Sequence, residues 1–243
     1  MKIKVMTFNI HHGKGTDTKL NMNRIVKVMK ESDADLIGLN EVDRNFSSRS
    51  EFMDQAAWLG EQLNMNHAYG AALTQNERGT GRLRQYGNAL LSRYPIVSEK
   101  NHLFDFYSGL IEGRSLLETR LQIEGQALDV YITHLSLNPF LHKKQTDFIL
   151  KKAADTKLPV LLLGDWNMRP GAKAWRKVTR HLTDVCDAAG TGSLHTFPSS
   201  RPRTQLDYIF VSRGFHIESA EVIKTIPEAS DHLPLTAELV FSS

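Results

Sequence analysis

Six apolar segments, far apart along the chain, each run into a residue that can hold a metal ion or move a proton. These residues are Asn9, Glu41, His134, Asp165 with Asn167, Asp207, and the pair Asp231-His232. The segment "LPVLLLGDWN" shows the pattern most sharply, because its apolar run is too continuous for a half-exposed strand and reads as one covered on both faces. If such strands lie side by side in stacked sheets and present their ends at one rim, six distant segments converge on one pocket. The pocket would be acidic. Carboxylates crowded together repel unless protons or a cation neutralise them, and carboxylate with carboxamide oxygens suits a hard ion such as Mg²⁺ or Mn²⁺. Two histidines alongside add proton transfer near neutral pH. Zinc fits poorly, since the sequence holds neither HExxH nor a Cys/His cluster.

The other elements follow from spacing. Strands are expected over "IKVMTFNI", "ADLIGLNEVD", "YGNALLSRYPIVSE", "SLLETRLQIEGQALDVYITHLSL", "TQLDYIFVS", "FHIESAEVI" and "LPLTAELVF", with a hairpin turn at Glu124-Gly125-Gln126. Ile25, Val28 and Met29 fall at helical spacing, and Phe52, Ala56, Leu59 and Leu63 form one stripe of a second helix. Asn138 and Pro139 make a cap and first turn for a third, running to about Ala154. No fixed repeat, low-complexity tract or linker divides the 243 residues, so one domain spanning 1–243 is expected. A net charge of +3 permits a phosphate-bearing substrate, whereas a dedicated nucleic-acid binder would be more basic. The single Cys186 excludes an internal disulfide, and "MKIKVMTFNI" holds no stretch long enough for a signal peptide or membrane span. A cytoplasmic setting is expected, and the oligomeric state is open.

The segments "TFNIHHG", "LNEVD", "GNALLSRYPI", "THLS", "GDWN", "LDYIFVS" and "SDHLPL" occur in the order found in the endonuclease/exonuclease/phosphatase superfamily, and the resemblance spans residues 3 to 240. This superfamily includes pancreatic deoxyribonuclease, abasic-site endonucleases, neutral sphingomyelinases, inositol-polyphosphate phosphatases and deadenylases. The resemblance implies an α/β fold, a four-layer α-β-β-α sandwich of two mixed sheets flanked by helices, and Mg²⁺-dependent phosphoester hydrolysis. It further implies that Glu41 is the principal metal ligand with Asn9 and Asp231 beside it, that Asp165 activates water, and that Asn167 bonds a phosphate oxygen or the nucleophile. His232, oriented by Asp207, would stabilise the transition state, and His134 would meet the phosphoryl group from another side. Asn40 replaces the usual Gln before the glutamate. His11 and "THLS" also depart from the abasic-site enzymes and argue against that repair activity.

Taken singly, Asp165 would be a turn former, and Glu41 and Asp207 surface charges paired with Arg44 and Arg203; the company of the other motifs reverses those readings. Asn88, in "GNALLSRYPI", is a candidate substrate contact, and Trp166 reads as packing. His11 and His12 follow Asn9 into the mouth of the site, where substrate contact and a structural role are both open. Arg78, Arg82 and Arg84 stand among glycines, Arg201 and Arg203 precede Asp207, and Arg114 is a further cation; Arg82, Arg84 and Arg203 are the phosphate-contact candidates. The expectation is a phosphodiesterase or phosphatase favouring small or headgroup-type phosphoesters. A DNA or RNA nuclease is the alternative, with nucleic acid possible but not favoured. An inert binding module keeping the fold is the third reading.

Overall fold

The structure is a computed structural model and describes residues 1–77, 79, 81–106 and 113–241. In chain order the elements are β1 (Lys2–Asn9), α1 (Met22–Ser32), β2 (Leu36–Arg44), α2 (Gln55–Leu63), β3 (Asn66–Asn76), β4 (Leu83–Ser92) and β5 (Ile96–Leu103). There follow β6 (Ser115–Ile123), β7 (Gln126–His134), α3 (Pro139–Asp155), β8 (Val160–Asp165), α4 (Lys173–Val178), β9 (Thr183–Asp184), α5 (Val185–Ala188), β10 (Asp207–Val211), β11 (Phe215–Val222) and β12 (Leu235–Phe241). They form two six-stranded mixed sheets, ordered β11-β12-β1-β2-β4-β3 and β5-β6-β7-β8-β10-β9. Strands β1 and β2 run parallel, as do β7 and β8, and the other neighbours are antiparallel.

Strand alternation assigns every side chain to a layer, since successive residues face opposite sides of a sheet. In β1, Ile3 and Val5 join Leu128, Val130, Ile132, Leu161, Leu163 and Ile209 in the core between the sheets. Met6 and Phe8 face the other way, onto Ile25, Met29 and Leu59 of α1 and α2. In the second sheet Tyr131, Leu162 and Phe210 pack outward with Ile149 of α3 and Val178 of α4. Both faces of the central strands are thus buried, which explains why the "LPVLLLGD" strand carries no exposed positions. The result is the expected four-layer sandwich. Helix α3 starts as anticipated, with the Asn138 side chain accepting from the Phe140 and Leu141 amides ahead of the second turn. Helix α2 differs, for it begins at Gln55 under an Asp54 cap, and Phe52 lies outside it in a left-handed conformation, 37% exposed. Capping by Asp54 outweighed the apolar stripe in setting that boundary.

Continuing each inter-sheet face to its strand end gives the positions of the polar residues. Ile3, Val5 and Thr7 lead to Asn9; Val130 and Ile132 lead to His134; Leu161 and Leu163 lead to Asp165; and Val211 and Ile209 lead back to Asp207 on antiparallel β10. Register aligns them, with His134 opposite Asp165 and Asp165 opposite Asp207. Gly164 makes this close pairing possible, because a Cβ there would fall 1.9 Å from the Thr133 carbonyl oxygen. Across the gap between the sheets, fully buried Asn40 donates from Nδ2 to Asn88 Oδ1 (2.8 Å) and to the Thr133 carbonyl (2.9 Å). Its Oδ1 accepts from the Asp165 amide at 2.8 Å. One carboxamide therefore ties β2 to β4 in its own sheet and to β7 and β8 in the other. Among the described residues no helix is long and apolar enough to cross a membrane.

Substituting Asn40→Leu keeps the volume roughly but strands the Asp165 amide, the Thr133 carbonyl and the Asn88 carbonyl oxygen. At about 1–3 kcal/mol for each group left unpaired, unfolding free energy from urea titration should fall by at least about 2 kcal/mol. A loss below about 0.5 kcal/mol would show that the carboxamide does not hold the sheets together.

Candidate active site

Asp165 is the centre of the polar cluster and is 2% exposed. Its Oδ1 accepts from the Asn167 amide at 2.9 Å and its Oδ2 from Asn9 Nδ2 at 3.1 Å. The Nε2 atoms of His134 and His232 lie 3.4 and 3.7 Å from the same Oδ2. His232 Nδ1 donates to Asp207 Oδ2 at 2.8 Å, fixing Nε2 as the nitrogen that faces the cluster. The Phe197 ring, 4.9 Å from the His232 ring between centroids, covers it. Ser230 holds the loop that carries Asp231 and His232 against β1, its hydroxyl donating to the Asn9 carbonyl at 2.7 Å.

Burial sets the charges. Desolvation pushes Asp165 above the usual carboxylate range, with the Asp207 charge adding to the effect and His232 opposing it. Burial alone would lower His232, but the Asp207 and Asp165 carboxylates outweigh it and raise the imidazole well above its ordinary value. His134 goes the other way, pushed down first by burial and then by the positive charges of Arg114 and His232. It is a neutral ring, which can accept from Asn167 Nδ2 at 3.1 Å. Neighbouring histidines thus hold different charge states because only His232 is hydrogen-bonded to a buried carboxylate, Asp207, while His134 faces the positive charges of Arg114 and His232.

Glu41 stands at the more open end. It falls in a bulge of β2 between Leu39 and Val42 and takes a left-handed φ of 58°. Plain alternation would turn a residue after Asn40 away from the inter-sheet face; the bulge turns it back, to where Asn9 Nδ2 donates to its Oε1 at 3.1 Å. His11, His12 and Asn167 are left-handed too, with φ of 45°, 46° and 46°. Four such non-glycine residues at one rim represent strain kept where side chains must converge. Beside Glu41, His11 Nδ1 lies 3.6 Å from Asp231 Oδ1. Ligand atoms of His11, His12 and Glu41 lie within 4.8 Å of one another, as do those of Asp165, Asp207 and His232. The second group is dry and already contains a cation in His232. The first is partly open at His11 and Glu41, with His12 buried behind them, and combines a carboxylate with imidazole nitrogens, so it is the place where a divalent ion fits.

The structure brings together Asn9, Glu41, His134, Asp165, Asn167, Asp207, Asp231, His232 and His11, and it changes how several of them act. Strand β8 stops at Asp165, so Asn167 reaches the site through its left-handed turn, not by extended alternation. Asn9 presents its NH₂ to both carboxylates while its Oδ1 accepts from the His11 amide at 3.1 Å, leaving one lone pair for an ion. Asn88, expected near substrate, is 1% exposed and committed to Asn40 and to Ser115, so it is scaffold. Arg84 is paired with Glu77 and lies over the Phe52 ring. Arg82 and Arg203 are exposed, and Arg78 lies outside the described residues. Arg44 pairs with Asp54, not with Glu41. The exclusion of zinc on sequence spacing fails as an argument, because His11, His12 and Glu41 form in space the His-containing cluster that no spacing motif announces. Sequence reasoning underweighted Arg114, whose charge reaches His134 and Tyr86 and whose Nε is buried without a hydrogen-bond partner. Its signal was a cation placed directly before a strand whose end lies at the same rim.

The family model of the Endonuclease/Exonuclease/phosphatase family matches residues 6–232, and the chain belongs to that family of phosphoester hydrolases. It is 29% identical over 259 residues to the uncharacterized protein YbhP of Escherichia coli strain K12, covering 97% of this chain and 95% of that one. The crystal structure of an endonuclease/exonuclease/phosphatase from Beutenbergia cavernae superposes with a TM-score of 0.83 at 24% identity, over 100% of this chain and 72% of that one. The mannosyl-6-phosphatase Bt3783 of Bacteroides thetaiotaomicron gives 0.76 at 18% identity, over 98% and 100%. At such identities the two structures speak to the fold.

Since Asp207 is the larger of the charges that keep the proton on His232, Asp207→Asn should move the titration of that ring to lower pH. In ¹⁵N-edited NMR of the histidine rings, wild-type His232 should remain protonated above pH 6.5 and the variant ring should lose its proton earlier. An unchanged titration would contradict the assignment.

Proposed function

We propose that this member of the family is a phosphodiesterase or phosphatase that uses Mg²⁺ or Mn²⁺ and acts by direct in-line attack of water on phosphorus. The observation that carries the reading is the buried chain Asp207–His232–Asp165 set beside the open Glu41, Asp231 and His11 end. A divalent ion held by Glu41 and Asp231, with the remaining lone pair of Asn9 nearby, would polarise a phosphoryl oxygen. Asp165, its pKa raised by burial, receives the proton of the attacking water, and the bonds from the Asn9 side chain and the Asn167 amide hold its carboxylate in place. His232 donates from Nε2 to the charge developing on phosphorus, with Asp207 holding the ring. Asn167 Nδ2 is committed to His134 Nε2 and to the Leu135 carbonyl and so orients the His134 ring, the Arg114 guanidinium is the other donor at this rim, and neutral His134 meets the departing oxygen side.

The surroundings favour a small or headgroup-type phosphoester. A groove of about 450 Å³ adjoins the site at Asn167, lined by Leu137, Pro139, Met168 and Ala174 with Lys173 and Lys177. An apolar or sugar leaving group fits there. Activity on a phosphosugar, as in the name of the Bacteroides structure, belongs to the same class. Extended nucleic acid is disfavoured by a net charge of only +3 and by the engagement of Arg84 with Glu77. Nuclease activity remains the second reading because the family includes such enzymes by name.

Hydrolysis of a generic bis-aryl phosphodiester should stop in excess chelator and return with Mg²⁺ or Mn²⁺; full activity in chelator would end the metal reading. Asp165→Asn should lower kcat by at least about 10²-fold with the fold retained. Against plasmid DNA, RNA and small esters, kcat/KM should favour the small esters with a shallow dependence on NaCl. Efficient plasmid nicking with a steep salt slope would transfer the assignment to a nuclease.

A further inference from the structure

We infer that His11 and His12 are direct ligands of the ion on Glu41, so that the site takes a divalent transition ion that accepts imidazole nitrogen, of which Mn²⁺, Co²⁺ and Zn²⁺ are examples, in preference to Mg²⁺. This rests on the reading that Glu41 holds an ion at all. The three residues offer ligand atoms within 4.8 Å of one another, and Asp231 Oδ1 stands 3.6 Å from His11 Nδ1. Donors bound at about 2.0–2.2 Å lie about 3 Å apart at a right angle and about 4.3 Å apart across an ion, so coordination asks the three side chains to close in on the ion from their present spacing.

Two consecutive residues of an extended strand point to opposite faces and cannot share an ion. His11 and His12 escape that rule because both are left-handed, which brings their rings to 4.6 Å between centroids. The turn is fixed from behind, for Gln55 Nε2 donates to the His12 carbonyl at 2.8 Å while Gln55 Oε1 accepts from the Asp43 amide at 2.9 Å. Those bonds hold the His12 backbone and leave its ring alone. The His12 side chain is 7% exposed, and its Nδ1 is buried without a hydrogen-bond partner. Asp43, whose charge acts on the ring, is engaged by Arg49 in two bonds of 2.9 and 2.7 Å. Buried polar groups are nearly always paired, so a ring nitrogen buried without a hydrogen bond, with the Glu41 carboxylate close by, calls for a shared ligand. Imidazole nitrogen beside carboxylate is a donor set suited to Mn²⁺, Co²⁺ or Zn²⁺, whereas Mg²⁺ prefers oxygen and retained water.

Pulsed EPR of the Mn²⁺-loaded full chain reads the ligands without reference to turnover. The wild type should show ¹⁴N couplings from bound imidazole, reduced in His11→Ala and in His12→Asn and abolished in the double variant. Asparagine tolerates the left-handed backbone, and a thermal melt checks that the fold survives. By calorimetry each substitution should weaken Mn²⁺ binding by at least about tenfold, and the wild type should bind Mn²⁺ more tightly than Mg²⁺. A wild-type spectrum with oxygen ligands only, in a protein whose hydrolysis is metal-dependent, would overturn the histidine assignment and leave the proposed function standing. Activity in chelator together with no stoichiometric binding of either ion would overturn both.

Discussion

The site depends on one carboxamide. Two stacked sheets held by apolar contacts alone can slide, because dispersion and the hydrophobic effect are not directional. The hydrogen bonds of Asn40 are directional, and they join β2 to β4, β7 and β8 at the end where the functional residues emerge. Through the Asp165 amide the same side chain also holds the residue to which the proposed function gives the proton of the attacking water. A glutamine here would be one methylene longer and would have to buckle to make the same three bonds across the same gap, so the shorter residue goes with the close approach of the sheets. Asn88, itself anchored on Ser115, completes the support.

Within that frame the site divides electrostatically. Its inner end holds Asp165, Asp207, His134 and His232, each no more than 5% exposed. Two carboxylates and one imidazolium share that space with hydrogen bonds from Asn9 and Asn167 to Asp165 and from His232 to Asp207, while Asp207 Oδ1 is buried without a partner and the proton affinity of Asp165 is raised. The outer end holds Glu41, Asp231 and His11, all half-buried, beside the buried His12. Burial pushes the His12 ring down to about 4, so it stays neutral at ordinary pH. In the proposed reaction a dry inner end and a more open outer end, joined by the NH₂ of Asn9, would keep proton transfer apart from charge neutralisation.

Much of this was legible in the sequence, for a physical reason. A strand buried on both faces must be largely apolar until it leaves the core, so the polar residue that ends its inner face marks the rim; His134, Asp165 and Asp207 follow an all-apolar buried inner face, and Asn9 follows a buried Thr7. Glu41 and Asn167 obey it in position but not in geometry, since a bulge and a left-handed turn aim them, and neither leaves a composition signal. For His11 and His12 the sequence leaves substrate contact and a structural role open, and only the positive φ of both shows that their rings come together. Asn88 and Asn40 have the same chemistry as Asn9, and only burial tells scaffold from site. The arginines were the weakest reading, because a long flexible side chain carries little information about where its charge ends up.

The central claim is that water held by Asp165 attacks phosphorus directly, with no covalent intermediate on the protein. The stereochemical course at phosphorus tests it most directly. A thiophosphate diester made chiral at phosphorus and hydrolysed in ¹⁸O-labelled water should give the product of inversion, as a single in-line displacement requires. Net retention would mean two displacements through a phosphorylated side chain and would contradict the account.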